Sequence, residues 1–266
     1  MPRLDVGAGL ARTVVARPGA AAPRGAGPAV RRAPRLLNLD APPGPLQLPD
    51  RAAHLWLADA TRQPKTLEAL ARDVLDDGEQ RRAERLRRLA DRRCYLAAHV
   101  ALRVLLGAQL GIAARQVRFR RDPCPCCGGP HGRPAPADPG VPLHFSLSHS
   151  GDLALLAFSA TVVGVDVQTT DPVAVADEVQ GALHPREKRE LASCSEADRP
   201  EAFTRAWVRK EAYLKGLGTG LARSPALDYL GSGLVPVTSP PGWNVEDVAV
   251  PAGYAAAVAV QTNDDG

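Results

Sequence analysis

Two acidic residues, Asp166 and Glu211, occur in patterns that could bring their carboxylates together. Asp166 lies in TVVGVDVQ, where strand alternation places the valines on one face and Gly164, Asp166 and Gln168 on the other. Glu211 lies in AWVRKEAYLKGLGTGL, where helical spacing predicts a common face. That face is predicted to hold Glu211 together with Trp207, Lys210, Leu214 and Lys215, with Trp207 packing in the core beneath the charged groups.

Carboxylates that converge from a strand and a helix suit Mg²⁺, which prefers oxygen ligands and completes its shell with phosphates and water. Lys215, together with His149 from the run FSLSHS, could balance phosphate charge beside such an ion. The predicted chemistry is therefore transfer at a phosphate or pyrophosphate. The alternative is a plain surface ion pair between Glu211 and Lys215, with a contribution of about 0.2–0.5 kcal/mol.

The composition argues against several other classes of protein. The chain has 266 residues, 45% hydrophobic and 23% charged, and no run of about 18 apolar residues, so no membrane span is expected. Its formal charge of +4 is carried by residues 1–50, which hold seven arginines and three aspartates. The rest of the chain is neutral, and aromatic residues are only 4%, so no nucleic-acid partner is predicted.

The N-terminal segment and the cysteines indicate where the protein works. Residues 1–50 are rich in Ala, Pro, Gly and Arg without sustained periodicity, which predicts a disordered tail. The segment lacks the apolar run that a secretory signal needs, and its lack of serine argues against a transit peptide. Five cysteines, three of them in CPCC, are not a secreted disulfide framework, so a reducing cytoplasm is expected.

Hydrophobic periodicity predicts an α+β fold with two similar α/β halves that join near residue 160, over residues 51–160 and 161–266. In the first half it predicts a strand at HLWLADA and two helices over residues 67–111 that separate near Ala90–Asp91. The runs HFSLSHS and LALLAFS predict a hairpin. The second half is predicted to hold the TVVGVDVQ strand, a helix from Glu187 to about Lys215 broken at 198–200, and two strands around the turn at 251–253.

The segment RDPCPCCGGPHGRPAP reads as a loop because of its proline and glycine content. Cys124, Cys126, Cys127 and His131 within it are zinc-ligand types. Zinc sites usually combine a C-x₂₋₄-C pair with a second, distant ligand pair, and vicinal cysteines are awkward ligands for one tetrahedral ion. The sequence therefore favours a turn-rich loop in which these side chains coincide without a metal.

The motifs FSLSHS, GVDVQ and WVRKEAYLKGLGTGL, in that order, resemble the 4′-phosphopantetheinyl transferases of the larger, monomeric type, over the chain from about residue 51 to the end. The resemblance implies two halves related by pseudo-twofold symmetry, with the active site in the cleft between them. It also implies Mg²⁺-dependent transfer of the 4′-phosphopantetheine arm of coenzyme A to a serine of an acyl or peptidyl carrier protein, with release of 3′,5′-ADP.

The resemblance assigns roles to particular residues. Asp166 and Glu211 would ligate Mg²⁺ with the coenzyme A pyrophosphate, and Gln168, where the family often has glutamate, would offer an uncharged oxygen. Glu211 would also be the base for the carrier serine, and Lys215 would neutralise charge on the leaving 3′,5′-ADP. The implied coenzyme A contacts are Arg92, Arg93, Arg133, Ser148, His149, Lys210 and Lys215, with Arg92 and Arg93 open to the alternative of a solvated helix face.

Two other functions fit these residues at this stage. The first is another Mg²⁺-dependent hydrolase or transferase that acts on a nucleotide pyrophosphate without a carrier protein. The second is a catalytically weak coenzyme A or carrier-protein binding module, in which Gln168 would mark the loss of a metal ligand. Retention of Asp166, Glu211 and Lys215 argues against the second.

Overall fold

A computed structural model describes residues 31–170, 181–237 and 239–262. Its helices and strands confirm the predicted α+β class. Before residue 161 lie β1 (Arg35–Leu36), β2 (His54–Asp59), α1 (Pro64–Val74), α2 (Asp77–Arg85), α3 (Leu89–Leu110), β3 (Phe119–Arg121), β4 (Pro134–Pro136), β5 (His144–Ser150) and β6 (Leu153–Ser159). After it lie β7 (Val163–Thr169), α4 (Pro185–Ser193), α5 (Arg199–Leu217), β8 (Trp243–Asp247) and β9 (Tyr254–Gln261).

The strands form three sheets within the described residues. One sheet has the order β1-β2-β6-β5, a second pairs β3 with β4, and a third has the order β7-β9-β8. All ladders are antiparallel except β1 with β2. The predicted hairpin of β5 and β6 is confirmed, and Gly151 supplies the positive φ of 56° that its turn needs.

Two apolar layers hold the sheets in place. The long helix α3 buries one side against the first sheet, where Val100, Leu105 and Leu106 are fully buried. The second layer joins the two large sheets, because Val163, Val165 and Val167 of β7 pack in one cluster with side chains of β2 and β6. The valine face predicted from alternation is therefore confirmed, and the opposite face of β7 is free to meet α5.

Some predicted boundaries were wrong. Residues 67–111 form parts of three helices, because a capping box between Asp76 and Glu79 starts α2 directly after α1. The break before α3 lies at residues 86–88, and Ala90–Asp91 belongs to the first turn of α3. In the second half the break lies at residues 194–198, and Pro200 sits in the first turn of α5, where its missing N–H costs nothing.

The expected disorder of residues 1–50 is wrong for residues 31–50. β1 pairs with β2, and the Leu37 N–H donates to the Leu57 carbonyl at 2.8 Å. Leu37 and Leu39 are buried in the core, so the short run RLLNL supplies the apolar anchors that the surrounding Pro and Gly residues lack. The rest of the predicted tail, residues 1–30, lies outside the described residues.

Over the described ranges, no helix is both long and apolar enough to cross a membrane.

Candidate functional site

A cavity of about 950 Å³ opens where the two halves meet. Tyr95 and His149 line it from the first half, and Val163 and Lys215 line it from the second. Its basic residues outnumber its acidic ones: Arg82, Arg120, Arg121, Arg133 and Lys215 against Glu79 and Asp91. A cavity of this size and sign suits a polyanionic ligand.

Asp166, with 1% of its surface exposed, lies behind the cavity lining and contacts it through Lys215. Its Oδ1 accepts hydrogen bonds from Ser148 Oγ at 2.6 Å and from Lys215 Nζ at 2.7 Å. Its Oδ2 has a weaker neighbour, because Gln168 Nε2 is 3.5 Å away. A buried carboxylate needs hydrogen bonds and an opposite charge to offset its lost hydration, and for Asp166 the Lys215 ammonium supplies that charge.

Three serines of the run FSLSHS attach β5 to β7. Ser146 Oγ accepts the Val165 N–H at 3.0 Å, Ser148 donates to Asp166, and Ser150 Oγ accepts the Thr169 N–H at 3.1 Å. Because alternate residues of a strand share a face, the spacing of two residues puts all three hydroxyls along β7. Ser148 is therefore buried and donates its hydroxyl hydrogen bond to Asp166, so this hydroxyl is not available for the coenzyme A contact that the resemblance implied.

Two glycines let α5 approach β7 closely. A Cβ at Gly164 would lie 2.0 Å from the Ala212 carbonyl oxygen and 2.5 Å from the Gly216 nitrogen. A Cβ at Gly216 would meet the Trp243 ring at 2.5 Å. Backbone contact between helix and strand brings Glu211 and Lys215 to Asp166. The helix ends two residues beyond the predicted position near Lys215: Gly216 is a packing residue inside α5, and Gly218, at a φ of 79°, ends the helix.

Replacing Gly164 with alanine is expected to push α5 away from β7. We expect about 1–3 kcal/mol of lost stability from overpacking. We also expect at least about a tenfold loss of turnover, because a displacement of about 1 Å at an active site is costly. Urea unfolding and turnover measurements check both effects. Gly44→Ala is the matched control, since a Cβ there meets nothing within 4 Å. Equal behaviour of the two variants would contradict the close-contact argument.

Glu211 is half-buried on α5 and faces the same centre. Burial raises the pKa of its carboxyl group, the nearby Asp166 charge raises it further, and Lys215 opposes the shift. Two carboxylates that share a partly buried site favour either a proton or a cation between them. Asp166, Glu211 and the Gln168 amide oxygen form an all-oxygen set, so these residues fit a hard divalent cation such as Mg²⁺.

His149 and Arg133 both line the cavity at the junction. His149 remains exposed on β5, but neighbouring atoms remove part of its water and lower its pKa, and the charges of His99 and Lys215 lower it further. Its ring is therefore neutral near pH 7 and can donate or accept a hydrogen bond. Arg133 Nη1 donates to the Gly216 carbonyl at 2.8 Å, so this side chain bridges the first half to the end of α5.

Lys210 does not face the cavity, so its predicted role as a coenzyme A contact is wrong. Only 2% of the residue is exposed, and its ammonium pairs with the Glu187 carboxylate at 2.8 Å. It also donates to the carbonyls of Pro225 and Asp228 at 2.8 and 2.6 Å. Lys210 thus fastens the segment after α5 to the helix. Trp207, also predicted on the charged face, stacks on Phe203 beside a small apolar cluster and is only partly buried.

Arg92 and Arg93 also lie away from the cavity at the junction. They line a separate cavity of about 540 Å³ formed by α1, α2 and α3, together with Glu68 and Glu84. Arg92 is exposed, which supports the solvated-face alternative for that residue. Their predicted contact with coenzyme A is not supported by this geometry, because both side chains line the cavity beside α1 and α2 and not the cavity at the junction.

Other cavity residues were not predicted from the sequence. Of the seven arginines between Arg81 and Arg93, only Arg82 lines the junction cavity, and Arg120 and Arg121 of β3 line it as well. The ring of Tyr95 stacks on that of His99 with centroids 4.1 Å apart, and His99 Nδ1 lies 3.1 Å from Glu79 Oε1. The spacing of four residues in YLAAH was an available signal for the stacked pair.

Comparison with known proteins covers both halves of the chain. A model of the 4′-phosphopantetheinyl transferase superfamily matches residues 162–235. The 4′-phosphopantetheinyl transferase HetI of Nostoc sp. (strain PCC 7120) is 31% identical over 228 residues, which are 84% of this chain and 92% of that protein. The transferase psf-1 of Bacillus pumilus is 33% identical over 144 residues, which are 53% of this chain and 56% of that protein.

The transferase Sfp of Bacillus subtilis (strain 168) is 27% identical over 125 residues, which are 46% of this chain and 54% of that protein. Each of these relatives is named as a transferase, so the comparisons favour an enzyme over a binding module. The Nostoc protein matches nearly along its whole length, so the likeness is not confined to the matched superfamily segment. This chain is an enzyme that belongs to the 4′-phosphopantetheinyl transferase family.

Proposed function

We propose that this enzyme transfers the 4′-phosphopantetheine arm of coenzyme A to a serine of an acyl or peptidyl carrier protein, with Mg²⁺, and releases 3′,5′-ADP. The observation that carries the proposal is the cluster of Asp166, Glu211 and Lys215, in which Lys215 joins the two carboxylates to the lining of a basic cavity. We place the active site in that cavity, between two halves that we take to be related by pseudo-twofold symmetry. The first half comprises residues 51–160 together with residues 31–50, and the second half comprises residues 161–266.

Asp166, Glu211 and Gln168 are the residues that would hold the Mg²⁺ ion. Asp166 keeps a lone pair available on Oδ2, because its strong hydrogen bonds both go to Oδ1. Glu211 carries a carboxylate whose raised pKa reflects repulsion that a cation would relieve. Bound Mg²⁺ supplies charge neutralisation at the pyrophosphate.

The remaining steps belong to side chains of the chain itself. Glu211 removes the proton from the attacking carrier serine, directly or through a water molecule, because the nucleophile must lose its proton as it attacks. Lys215 offers positive charge to the departing 3′,5′-ADP. Arg133 and His149 hold phosphate groups of coenzyme A at the cavity wall, and Arg82, Arg120 and Arg121 add positive charge around it.

The basic cavity also indicates the kind of partner. A carrier protein with acidic residues near its serine would be steered toward the charge of Arg82, Arg120 and Arg121. We propose that the enzyme acts as a monomer in the cytoplasm, where its cysteines, none of which is paired within the described residues, stay reduced.

Intact-mass spectrometry of an apo carrier protein tests the proposed reaction. The carrier is incubated with the full chain and coenzyme A, after EDTA treatment and then with Mg²⁺ restored in excess. We expect a phosphopantetheine mass shift that needs both the enzyme and Mg²⁺, and none on a carrier whose acceptor serine is replaced by alanine. No shift on any of several acyl and peptidyl carriers, while coenzyme A still binds, would refute the proposal.

Gln168→Glu tests whether the amide is adapted to this site. We expect kcat/KM to change by less than about tenfold, because an amide oxygen can coordinate Mg²⁺ or hold a metal-bound water. The measurement is turnover against Mg²⁺ concentration for the wild type and the variant, with Gln116→Glu, at an exposed position, as the control. A gain of several hundredfold would instead mark Gln168 as a lost ligand.

A further inference from the structure

The loop between β3 and β4 gathers three metal-ligand side chains that the proposed transfer does not use. The Sγ atoms of Cys124 and Cys127 and a ring nitrogen of His131 all lie within 4.8 Å of one another. Cys127 Sγ and His131 Nε2 are 3.0 Å apart. Cys124 is buried, while Cys127 and His131 are exposed, so an ion could reach the group from solvent. In the described part of the chain this is the one such group of His, Cys, Asp and Glu.

We propose that Cys124, Cys127 and His131 bind one Zn²⁺ ion, with a water molecule as the fourth ligand. With Zn–S distances of about 2.3 Å and Zn–N of about 2.0 Å, tetrahedral geometry separates two sulfurs by about 3.8 Å and a sulfur from a nitrogen by about 3.5 Å. The observed group is within small side-chain movements of that arrangement. Binding converts both thiols to thiolates and releases their two protons to solvent, so the ion and its ligands together are neutral.

Vicinal cysteines are awkward ligands for one zinc ion, but the group in the structure contains only one cysteine of the vicinal pair. Cys124 and Cys127 have the common C-x₂-C spacing, and His131 replaces a distant second pair. The vicinal cysteine, Cys126, is exposed and falls outside the group, so no two adjacent residues have to share the ion. The sequence alone does not reveal this, because it does not show that the loop folds back on itself.

Backbone hydrogen bonds fold the loop back on itself between Cys124 and Gly129. The Gly128 N–H donates to the Cys124 carbonyl at 2.7 Å, and the Cys124 N–H donates to the Gly129 carbonyl at 2.8 Å. Gly128 has a φ of 70°, which favours glycine. A Cβ at Gly129 would lie 3.1 Å from the His131 ring, so the turn also needs a small residue there.

The consequence for catalysis rests on the proposed function. A Cβ at Gly132 would lie 2.2 Å from the Asp122 carbonyl oxygen, and the Asp122 N–H donates to the Arg133 carbonyl at 2.8 Å. The loop is therefore closed directly before Arg133, the residue that contacts the end of α5 across the cavity. Zinc would fix this loop and so hold Arg133 where it meets coenzyme A. We expect zinc removal to raise KM for coenzyme A more than it lowers kcat.

Metal content tests the site without coenzyme A or a carrier protein. The full chain is reduced, stripped of metal, given Zn²⁺, dialysed and measured by inductively coupled plasma mass spectrometry. We expect about one Zn²⁺ per chain, falling below about a tenth in Cys124→Ser, Cys127→Ser and His131→Ala. Cys126→Ser and Cys194→Ser are the matched controls, and both are expected to keep the ion. Circular dichroism of each variant shows whether it has folded.

Cobalt substitution of the unaltered chain keeps the test decisive if the variants do not fold. Co²⁺ in a tetrahedral site with two thiolates gives characteristic d–d and sulfur-to-metal absorption, which Zn²⁺ should abolish by displacement. A wild-type chain that retains less than about a tenth of an ion and gives no such spectrum would overturn the proposal. Zinc content equal to wild type in all three ligand variants would overturn it as well. EDTA removes both metals, so Mg²⁺ alone is then added back to the stripped enzyme. Transfer with an unchanged KM for coenzyme A would contradict the zinc proposal alone. Absence of transfer both with and without Zn²⁺ would contradict the proposed function.

Discussion

Replacing Glu211 with glutamine is expected to lower kcat at least about 100-fold, on the scale of general acid–base catalysis. The substitution removes the proposed base for the carrier serine and one of the two proposed anionic metal ligands, while it keeps the size of the side chain. Turnover is measured by the mass shift of the carrier protein. Glu201→Gln, at an exposed position on the same helix, is the control and should behave as wild type. Turnover of Glu211→Gln within a few-fold of wild type would refute the assignment.

The same substitution is expected to stabilise the fold at neutral pH when Mg²⁺ is absent. Burial and Asp166 raise the pKa of Glu211 above its ordinary value of 4.5, so the folded state holds this proton more tightly than the unfolded state does. The stability linked to that proton is complete below the unfolded pKa and is lost as pH rises through the folded pKa. At neutral pH the charged carboxylate therefore costs stability that glutamine restores.

Thermal unfolding at several pH values checks this sign. Glu211→Gln should have the higher Tm near pH 7, and the difference should shrink as pH falls below the ordinary glutamate value of 4.5. Added Mg²⁺ should raise the Tm of the wild type more than that of the variant, because a ligand stabilises the state that binds it. A variant less stable than wild type at pH 7 without Mg²⁺ would contradict the pKa argument.

Short-range patterns predicted the parts of this site that lie on regular elements. Alternation in TVVGVDVQ placed Asp166 opposite the buried valines, and helical spacing placed Glu211 with Lys215. The 2.7 Å contact between Lys215 and Asp166 shows that the two elements meet as expected. Each of these inferences needs only the period of one element and the assumption that polar faces converge.

The predicted contact of Lys210 with coenzyme A was wrong because residues too far apart around the helix axis were assigned to one face. At about 100° per residue, Glu211 and Lys215 are separated by about 40° around the helix, whereas Lys210 and Lys215 are separated by about 140°. Lys210 therefore projects to the side where Glu187 of α4 is buried. The spacing was in the sequence, but the buried acid that receives Lys210 comes from a separate helix, and no local pattern pairs the two.

Other features depend on contacts between distant segments. The resemblance implied that Ser148 contacts coenzyme A, yet the period of two shared by the three serines of FSLSHS, on one face of a strand, is also what bonding to a neighbouring strand requires. Gly164 was a usable signal, since a glycine inside a valine-rich strand often marks close approach of another backbone. That the approaching backbone is α5 could be learned only from the folded chain.

Replacing Lys210 with methionine is expected to destabilise the protein by about 3–5 kcal/mol, because it leaves the buried Glu187 charge without its counter-ion. Glu187 keeps backbone N–H donors from His184, Leu230 and Gly231, which stabilise but do not neutralise it. The carbonyls of Pro225 and Asp228 lose their donor as well. For a chain of this size, the corresponding fall in Tm is roughly 6–20 °C.

Urea unfolding and enzyme kinetics together separate this structural role from a role in binding. Lys188→Met, one residue beyond Glu187 but exposed, is the matched control and should change stability by less than about 0.5 kcal/mol. At a temperature where Lys210→Met remains folded, its KM for coenzyme A should equal that of the wild type, because the ammonium lies under the segment after α5 and not in the cavity. A raised KM with nearly unchanged stability would show instead that Lys210 reaches the coenzyme. The segment around Asp228 would then be held to α5 chiefly by Arg209, through its contacts with Asp247 and the Gly231 carbonyl.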